Sequence, residues 1–250
     1  MFSRTSFENI FIQPAAGDAG ASLGAALYLE HKYARKDRQY VLNDAYLGPA
    51  FSSLECEKAL CDMNIPFEKL AEDVLLKRIA QILADGKLVC WFQGRMEWGP
   101  RALGNRSFLA DPRREEMKDN INLRIKKREP FRPFAPSVLE ERSSEYFEHV
   151  GTSPFMLYAF NVRPEKKNQI PAVTHVDGTA RPQTVNKETN RKYWSLIKEF
   201  ENLTRVPMLL NTSFNIQEPI VCTPQQAISS FLKTKVDYLV LDNLIAKQPL

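Results

Sequence analysis

The sequence predicts an α/β or α+β fold built on a mixed β-sheet. Stretches with strand character alternate with stretches of helical spacing along all 250 residues, which is the pattern of a layered domain of sheet and helices. Hydrophobic residues make up 44% of the chain and charged residues 26%, ordinary values for a soluble globular protein. The length suffices for one large domain, or for one domain and part of another.

Six stretches have the spacing or the end signals of helices. Apolar residues recur at helical spacing from Glu72 to Ala84, and Gly86 follows as a stop signal. Ser52 and Thr223 each precede a Glu or Gln by three residues, which is the pattern of a capping box. The other predicted helices are 21–32, 54–63 after Ser52, 112–125 with Asp111 as N-cap, 188–202 and the one after Thr223.

Strands are predicted where short apolar runs lie between turn residues. The clearest is the run 88–92, and the others are 10–13, 45–49 with its turn, 208–210 and 237–241. The segment 152–186 is rich in Pro, Asn and Thr, so we expect strands and long loops there rather than helix.

Composition excludes several classes of protein. No apolar run approaches the roughly 18 residues that span a bilayer, and the amino-terminal residues lack the apolar core of a signal peptide. The four cysteines form no C-x-x-C pair, and with three histidines a zinc site or a His triad is not expected. A cytoplasmic protein with reduced thiols is the expectation. The net charge of +4 fits either phosphate ligands or nucleic acid.

A loop with three glycines and three arginines follows the predicted strand 88–92. Its arginines are Arg95, Arg101 and Arg106. Glycines let the backbone approach a ligand, backbone N–H groups in turns bind oxyanions, and the guanidinium fork matches phosphate. The loop therefore predicts an anion site. The alternative is a surface loop whose arginines pair with nearby carboxylates, namely Glu97, Asp111 and Glu115.

A second basic cluster contains Lys126, Arg128 and Arg132. The prolines that follow predict extended backbone, and because side chains alternate along a strand, these three would point to one side. The alternative is a solvated basic end of a helix, which the helix dipole favours. Together with the arginine loop, this cluster favours a site for polyanions. Arg181, just after a tight turn, is a weaker candidate because exposed loop arginines are usually only solvated.

Two further motifs follow strand-like runs. Asn211, Ser213 and Asn215 come at the carboxyl end of the run 208–210, where ligands of open α/β sheets tend to bind. An ordinary Asx or Ser turn is the alternative. Asp18 lies in a turn of small residues before the first helix, a position suited to phosphate or to one metal ligand. A single carboxylate does not define a metal site.

Four strings in the sequence resemble the NodU/CmcH/TobZ-type O-carbamoyltransferases, and the resemblance extends over essentially the full length. They are QPAAGDAG (13–20), GRMEWGPRALGNRS (94–107), REPFRPFAP (128–136) and LNTSFN (210–215). The second string is long and ungapped, which makes it close to diagnostic.

The resemblance implies the carboxy-terminal part of a two-domain enzyme. Members of the family have an actin-like domain with an iron ion and the final transfer site. A YrdC-like domain follows and converts carbamoyl phosphate and ATP to carbamoyl adenylate and pyrophosphate. By this resemblance, residues 1–38 are the tail end of the actin-like domain, and residues 39–250 form the YrdC-like domain, a twisted mixed sheet with flanking helices. The acceptor is a hydroxyl of a sugar, an antibiotic or an oligosaccharide.

The resemblance also assigns roles to residues. It implies Arg101, Lys126 and Arg132 as catalytic residues that also bind carbamoyl phosphate. Further implied substrate contacts are Arg181, Ser213 and Asn211. The implied nucleotide contacts are Arg95, Arg106, Arg128 and Asn215. Magnesium is expected on the ATP, because several cations must offset the repulsion between two phosphate ligands.

The metal assignment is incomplete. Asp18 matches a carboxylate that ligates the iron of the family, but the motif with the two histidine ligands is absent from this sequence. His31, His149 and His175 are in a different context, and we interpret them as surface or loop residues.

Two other hypotheses stay open on the sequence. A YrdC-like module could bind double-stranded RNA or serve tRNA modification, although arginines beside glycine-rich turns, rather than between exposed aromatics, argue against nucleic acid. The chain could also be a fragment that folds but is inactive without its transfer domain. Apolar surface around residues 1–40 would then lead to a homodimer or to aggregation.

Overall fold

The structure is a computed structural model that describes residues 6, 10–129, 131–148 and 151–249. These residues form six α-helices and ten strands. The helices are α1 (Asp18–Lys32), α2 (Ser53–Asp62), α3 (Glu72–Ala84), α4 (Glu116–Ile121), α5 (Arg191–Thr204) and α6 (Pro224–Lys233). A π-helical turn, Asn122–Lys126, continues α4. Short 3₁₀ turns cover Glu140–Glu145, Pro164–Gln169 and Pro171–Val173.

The strands divide into a large sheet and a small one. Their bounds are β1 (Glu68–Lys69), β2 (Val89–Phe92), β3 (Arg106–Ala110), β4 (Ala135–Leu139), β5 (Phe160–Asn161), β6 (Thr179–Ala180), β7 (Gln183–Val185), β8 (Met208–Ser213), β9 (Tyr238–Leu241) and β10 (Leu244–Lys247). The large sheet has the order β1-β10-β9-β2-β3-β8-β4-β7, while β5 and β6 pair with each other. The β2–β9 and β4–β7 pairs are parallel and the other pairs antiparallel, so the large sheet is mixed, as predicted.

Helices cover both faces of this sheet. Every residue of β2, β3 and β4 is buried, which requires cover on each side. Helix α3 packs against α5, which packs over β4 and β8, and α2 with α6 packs over β2, β9 and β10. The buried apolar side chains between these layers form one large core cluster. Among the described residues, no helix combines the length and apolar character needed to cross a bilayer.

Most predicted elements are confirmed with small shifts at their ends. Both capping boxes are present: the Ser52 hydroxyl accepts from Glu55 N, and that of Thr223 accepts from Gln226 N. Helix α5 starts at its Asn190 N-cap rather than at 188. Helix α1 begins at Asp18 instead of residue 21. The segment 152–186 has short strands and loops as expected, together with 3₁₀ turns that the sequence did not signal.

The prediction of a helix capped by Asp111 is wrong. The Asp111 carboxylate accepts from the backbone N–H of Arg113 at 2.9 Å and pairs with the Arg113 guanidinium at 2.7 Å. This Asx turn holds the chain outside helical conformation, and α4 begins only at Glu116.

The strands predicted at 10–13 and 45–49 are also absent. The segment 45–49 contains a tight turn, in which Leu47 N donates to Ala45 O at 2.9 Å, and it bonds to a loop rather than to a strand. Gly48 N donates to Met96 O at 2.9 Å, and Trp98 N donates to Ala45 O at 2.7 Å. Short apolar runs carry no information about whether a strand partner is available.

The extended conformation predicted for residues 126–132 is likewise wrong. Lys126 ends the π-helical turn, and Lys127 stops it in the left-handed region at φ 47°. Regular strand structure begins only at Ala135, in β4. Lys126, Arg128 and Arg132 therefore do not line one side of a strand.

Candidate functional site

The predicted site residues gather where several strand ends meet at one edge of the large sheet. Strand β8 runs antiparallel to both β3 and β4, and β7 runs parallel to β4. Consequently the carboxyl end of β8 lies beside the amino ends of β3, β4 and β7. We call this the site edge; it comprises the loop 93–106, the segments 126–129 and 131–134, Arg181 and residues 211–215.

Glu97 folds the arginine loop back on itself. One carboxylate oxygen of this buried residue, Oε1, accepts from the backbone N–H groups of Leu103 and Asn105, each at 2.7 Å, and of Arg106 at 3.2 Å. Burial raises the pKa of Glu97, and these backbone bonds oppose that shift. The Glu97 carboxylate therefore bonds backbone amides, and not a loop arginine as the alternative interpretation of this loop had it.

Gly104 is needed where the loop crosses helix α5. Its φ is +101°, and a Cβ at this position would lie 2.2 Å from the ring of Tyr193. No other residue combines this backbone conformation with such a close approach.

Arg106 holds the loop and faces no open surface. Its side chain is fully buried and its guanidinium bonds four backbone carbonyls, while the plane stacks 3.6 Å over the Phe92 ring. The carbonyls belong to Gln93, Gly94, Asn105 and Pro49. Burial lowers the pKa of Arg106 to about 10. These contacts give Arg106 a structural role, and the nucleotide contact that the resemblance implies stays a prediction.

Arg95 also bonds protein rather than open space. Its Nη2 donates to Leu47 O at 2.7 Å, and this ties the loop to the segment 45–49. The side chain is otherwise exposed at the rim of the site edge.

Arg101 and Arg181 form a pair of cations at the centre of the site edge. Both are half-buried, and the Nε of each is buried without a hydrogen-bond partner among the described residues. Burial and then the charge of Arg101 lower the pKa of Arg181. Two guanidinium groups that repel each other in a partly dry place favour an anion between them.

Lys126 reaches the carboxyl end of β8. Its Nζ donates to oxygens of Ser213 and Asn215 at distances of 2.6–3.0 Å, and it lies 5.3 Å over the Phe108 ring. Burial, followed by the charge of Arg128, lowers the pKa of Lys126 to about 7, while Glu218 opposes the shift. Lys126, Ser213 and Asn215 are thus brought together, as the sequence motifs suggested.

Arg128 and Arg132 flank this cluster without joining it. Arg128 Nε donates to Asn122 Oδ1 at 2.8 Å, and its guanidinium lies 4.8 Å over the Phe134 ring. Arg132 is exposed and pairs with Glu129 at 3.1 Å. Burial and the charge of Arg132 lower the pKa of Arg128.

Asn211 belongs to a buried polar network that the sequence did not reveal. Its Nδ2 donates to Ser137 Oγ at 2.9 Å, and Ser137 Oγ donates to Gln183 Oε1 at 2.7 Å. Gln183 lies two residues after Arg181, and Asn211 Nδ2 also reaches Ala102 O, next to Arg101. The network therefore adjoins the arginine pair.

The structure brings no metal ligands to Asp18. This residue is exposed in the first turn of α1. Among the described residues, no group of three or more His, Cys, Asp or Glu side chains is placed to hold a metal. The donor set does not fit the iron that the resemblance implies, and we derive no step through it.

The three histidines, predicted to be surface or loop residues, differ in their surroundings. His31 bonds Lys36 O in the exposed region around α1, and His149 lies outside the described residues. His175, which we interpreted as an ordinary loop residue, is half-buried beside Arg181, with Nδ1 3.1 Å from Thr179 Oγ1. Burial lowers the pKa of His175.

The sequence model of one family, described as Carbamoyltransferase C-terminus, matches residues 80–248. The chain belongs to this family. The match covers β2 to β10 and so includes each of the cationic residues of the site edge.

Three relatives match almost the whole of this chain at 47–48% identity. Nodulation protein NolO of Bradyrhizobium diazoefficiens is 48% identical over 97% of this chain and 45% of its own length. Nodulation protein NolNO of Sinorhizobium fredii is 47% identical over 97% of the chain and 36% of its own length. A protein of Synechocystis named "Uncharacterized protein sll1178" is 47% identical over 96% of this chain and 43% of its own length. The chain thus spans less than half the length of these relatives.

Two solved structures share the fold of this carbamoyltransferase C-terminal domain. Full-length HypF in its phosphate- and nucleotide-bound form has a TM-score of 0.50 at 18% identity, covering 71% of this chain and 25% of HypF. Sua5 of P. abyssi complexed with L-threonine has a TM-score of 0.51 at 15% identity, covering 72% of this chain and 49% of Sua5. At such identities the likeness shows the fold alone, which is YrdC-like, as expected.

Proposed function

We propose that this carbamoyltransferase domain binds carbamoyl phosphate and ATP and forms carbamoyl adenylate, the activated group for an O-carbamoyl transfer. The observation that carries the proposal is the Arg101–Arg181 pair, which is half-buried and has unpartnered Nε atoms. A phosphate bound between these groups would offset their repulsion and supply acceptors to both.

A second anion subsite is available at Lys126. Its ammonium lies at the end of β8, whereas Arg181 precedes β7, two strands away in the sheet. Two strand spacings correspond to about 10 Å, a separation that suits two phosphate groups of neighbouring ligands. Ser213 and Asn215 surround the ammonium with oxygens and fix its position.

The proposed reaction needs charge stabilisation more than acid–base chemistry. Carbamoyl phosphate loses its phosphoryl group to water and leaves a carbamate. A carbamate oxygen attacks the α-phosphorus of ATP, the bond to the β-phosphate breaks, and pyrophosphate leaves. The cations of the site edge hold the separate anions together and stabilise charge on the leaving groups. Because the site edge is cationic, magnesium in this proposal is held by the ATP phosphates themselves.

In this proposal, the carbamoyl group is transferred to the acceptor on a part of the protein outside this chain. An acceptor hydroxyl attacks the carbamoyl carbon, and AMP leaves. The longer relatives carry more than half of their length outside the region that matches this chain, and we propose that this additional part holds the acceptor.

Release of pyrophosphate tests the proposal directly. Purified protein with magnesium, ATP and carbamoyl phosphate should release pyrophosphate, and omission of carbamoyl phosphate should abolish the release. Arg181→Ala should reduce the rate at least about 100-fold, because it removes a preorganised charge. Arg191→Ala is the matched control, since Arg191 is exposed and pairs with Glu72 away from the site edge. If the wild type neither binds ATP nor releases pyrophosphate, the proposed activity is wrong for this chain.

Nucleic-acid binding is the competing function. The structure does not favour it, because Arg101 and Arg181 are half-buried and not part of an exposed basic surface. An affinity for RNA that falls steeply with salt but is unchanged in Arg101→Ala would favour nucleic acid over carbamoyl phosphate.

We also propose that residues 1–38 belong to a different folding unit from residues 39–250. Helix α1 has no buried residue, and it leaves Tyr28 54% and Leu29 55% exposed. An apolar groove of about 1070 Å³ lies between α1 and the segment 38–42. This surface suits a further domain of the kind that the longer relatives contain.

A further inference from the structure

Each residue of the segment 45–49 is hydrogen-bonded to the arginine loop, 93–106. Four of these residues use their backbone: Ala45 O accepts from Trp98 N at 2.7 Å, Leu47 O from Arg95 Nη2 at 2.7 Å, Gly48 N donates to Met96 O at 2.9 Å, and Pro49 O accepts from Met96 N at 2.8 Å. The fifth, Tyr46, uses its side chain. A Cβ on Gly48 would lie 2.9 Å from Met96 O, which shows how closely the two segments approach. The conformation of the arginine loop therefore depends on residues far from it in the sequence.

The Tyr46 hydroxyl joins the arginine loop to the start of helix α5. It donates to Leu103 O at 2.8 Å and accepts from Asn190 Nδ2 at 3.0 Å. Asn190 is the N-cap of α5, and its Oδ1 accepts from Tyr193 N at 3.2 Å. Burial raises the pKa of Tyr46, which keeps the hydroxyl protonated and able to donate. The loop is thus fixed to a helix that packs over the large sheet.

Leu103 O is the point at which the two segments that carry Arg101 and Arg181 meet. Leu103 lies two residues after Arg101, and Gln183, two residues after Arg181, donates to the same oxygen from Nε2 at 2.7 Å. A carbonyl oxygen accepts two hydrogen bonds, and here Gln183 and Tyr46 supply them. The two donors together fix the backbone near Arg101 relative to the backbone near Arg181.

The direction of the Arg101 side chain follows from this backbone. Its Nε has no hydrogen-bond partner among the described residues, so no bond at that atom holds the guanidinium. We propose that Tyr46 is a positioning residue of the anion site, because its hydroxyl fixes the loop in the conformation in which Arg101 and Arg181 meet one anion. The inference rests on the proposed function and adds to it a residue that precedes the match to the family, residues 80–248. A loop that is ordered before the anion binds loses less freedom on binding, which raises the affinity.

Tyr46→Phe tests the role of the hydroxyl with little disturbance of the fold. Each partner of the hydroxyl keeps another bond, because Leu103 O retains Gln183 Nε2 and Asn190 Nδ2 retains Asn105 Oδ1 at 2.9 Å. The thermal midpoint should therefore fall by only about 2–4 °C. The affinity for inorganic phosphate, followed by ³¹P NMR titration, should fall about 3- to 10-fold, which corresponds to one hydrogen bond.

The same substitution in two arginine variants separates a positioning role from a structural one. Arg101→Ala removes the group that the hydroxyl positions, so adding Tyr46→Phe to it should change the phosphate affinity by less than about twofold. In Arg181→Lys the Arg101 side chain is intact, and Tyr46→Phe should again weaken binding about 3- to 10-fold. Equal weakening in both backgrounds would indicate a general loosening of the fold and would overturn the proposal.

Tyr146→Phe is the matched control. Tyr146 is buried, and its hydroxyl reaches Gln169 Oε1 at 3.4 Å, outside the arginine loop, so this variant should bind phosphate as the wild type does. Equal affinity of the wild type and Tyr46→Phe for phosphate overturns the role of Tyr46 and leaves the anion site standing. Failure of the wild type to bind phosphate overturns the anion site, and the role of Tyr46 with it.

Discussion

At the scale of single residues, burial separates cations of similar appearance into different roles. Arg106 is fully buried and bonds four backbone carbonyls, although its Nε has no partner among the described residues, and Arg132 is exposed beside Glu129. Arg101 and Arg181 lie between these extremes, half-buried and with unpartnered Nε atoms. This pair combines partial desolvation with available donors, which favours strong binding of an anion.

Replacing Lys126 should change how stability depends on pH. Burial lowers its pKa to about 7 in the folded state, whereas the unfolded value is about 10.4. Between these values the unfolded state binds more protons, so the free energy of unfolding rises as pH increases from 7 to 10. Lys126→Met should remove that rise, which we estimate as a few kcal/mol.

Urea unfolding of the ligand-free protein at several pH values measures this effect. Lys58→Met is the matched control, because Lys58 is largely exposed and pairs only with Asp62 on the surface. Arg128 and Glu218 are the charged groups that face Lys126; burial lowers the pKa of Arg128, and in Glu218 hydrogen bonds from the backbone outweigh burial and lower the pKa. If the free energy of unfolding changes with pH in the same way in the wild type and in Lys126→Met, the lowered pKa of Lys126 is contradicted.

Replacing Arg106 should destabilise the protein before it affects any ligand. Arg106→Met leaves three carbonyls of the arginine loop and Pro49 O without their donor, and we expect a loss of about 3 kcal/mol. For a chain of this size the thermal midpoint should fall by roughly 6–12 °C. Differential scanning calorimetry measures the change against Arg191→Met, an exposed arginine outside the loop. An unchanged midpoint would mean that Arg106 is not structural.

At the scale of elements, the arginine loop is held by its own backbone. The Glu97 carboxylate collects three N–H groups, and Asn105 Nδ2 bonds Arg95 O at 2.7 Å. The loop is therefore built as a rigid support that presents Arg101. This explains why glutamate, glycine and arginine are interspersed in the same string.

Gly104→Ala should disrupt this support. The positive φ and the Tyr193 ring 2.2 Å from an added Cβ both oppose an alanine, which we expect to cost more than 2 kcal/mol. Gly94→Ala is the comparison, because its φ is also positive but its nearest neighbour, Asn105 Nδ2, is 3.5 Å away. Thermal unfolding of the two variants should place Gly104→Ala clearly lower. Equal midpoints would show that helix α5 yields to the added methyl.

At the scale of the whole molecule, the chain has one large core and an exposed amino-terminal helix. The core cluster begins in α2 and ends in β10. Helix α1 contributes nothing to it, although Ala15 just before α1 is buried near Gly99 of the arginine loop. The proposed amino-terminal unit therefore comes close to the arginine loop at Ala15.

Polar substitutions in α1 should leave stability almost unchanged. Leu27→Gln with Tyr28→Gln should alter the free energy of unfolding by less than about 0.5 kcal/mol per site, because α1 has no buried residue. Leu196→Gln in α5 is the contrast, since Leu196 is fully buried and its replacement should cost several kcal/mol. Urea unfolding followed by tryptophan fluorescence compares them. A large loss in the α1 variant would place residues 18–32 in the same folding unit as the sheet.

The sequence by itself determined the mixed α/β class, most helices and the two capping boxes, because these depend on local spacing and side-chain hydrogen bonds. It also identified the strings that mark the carbamoyltransferase family. The burial of Arg106, the π-helical turn at Lys126 and the pairing of Arg101 with Arg181 were decided only by the tertiary structure. Each depends on strand neighbours far apart in the chain, and those neighbours set the desolvation of a charge. Residue type predicts that a cation can bind phosphate, whereas packing decides which cation is free to do so.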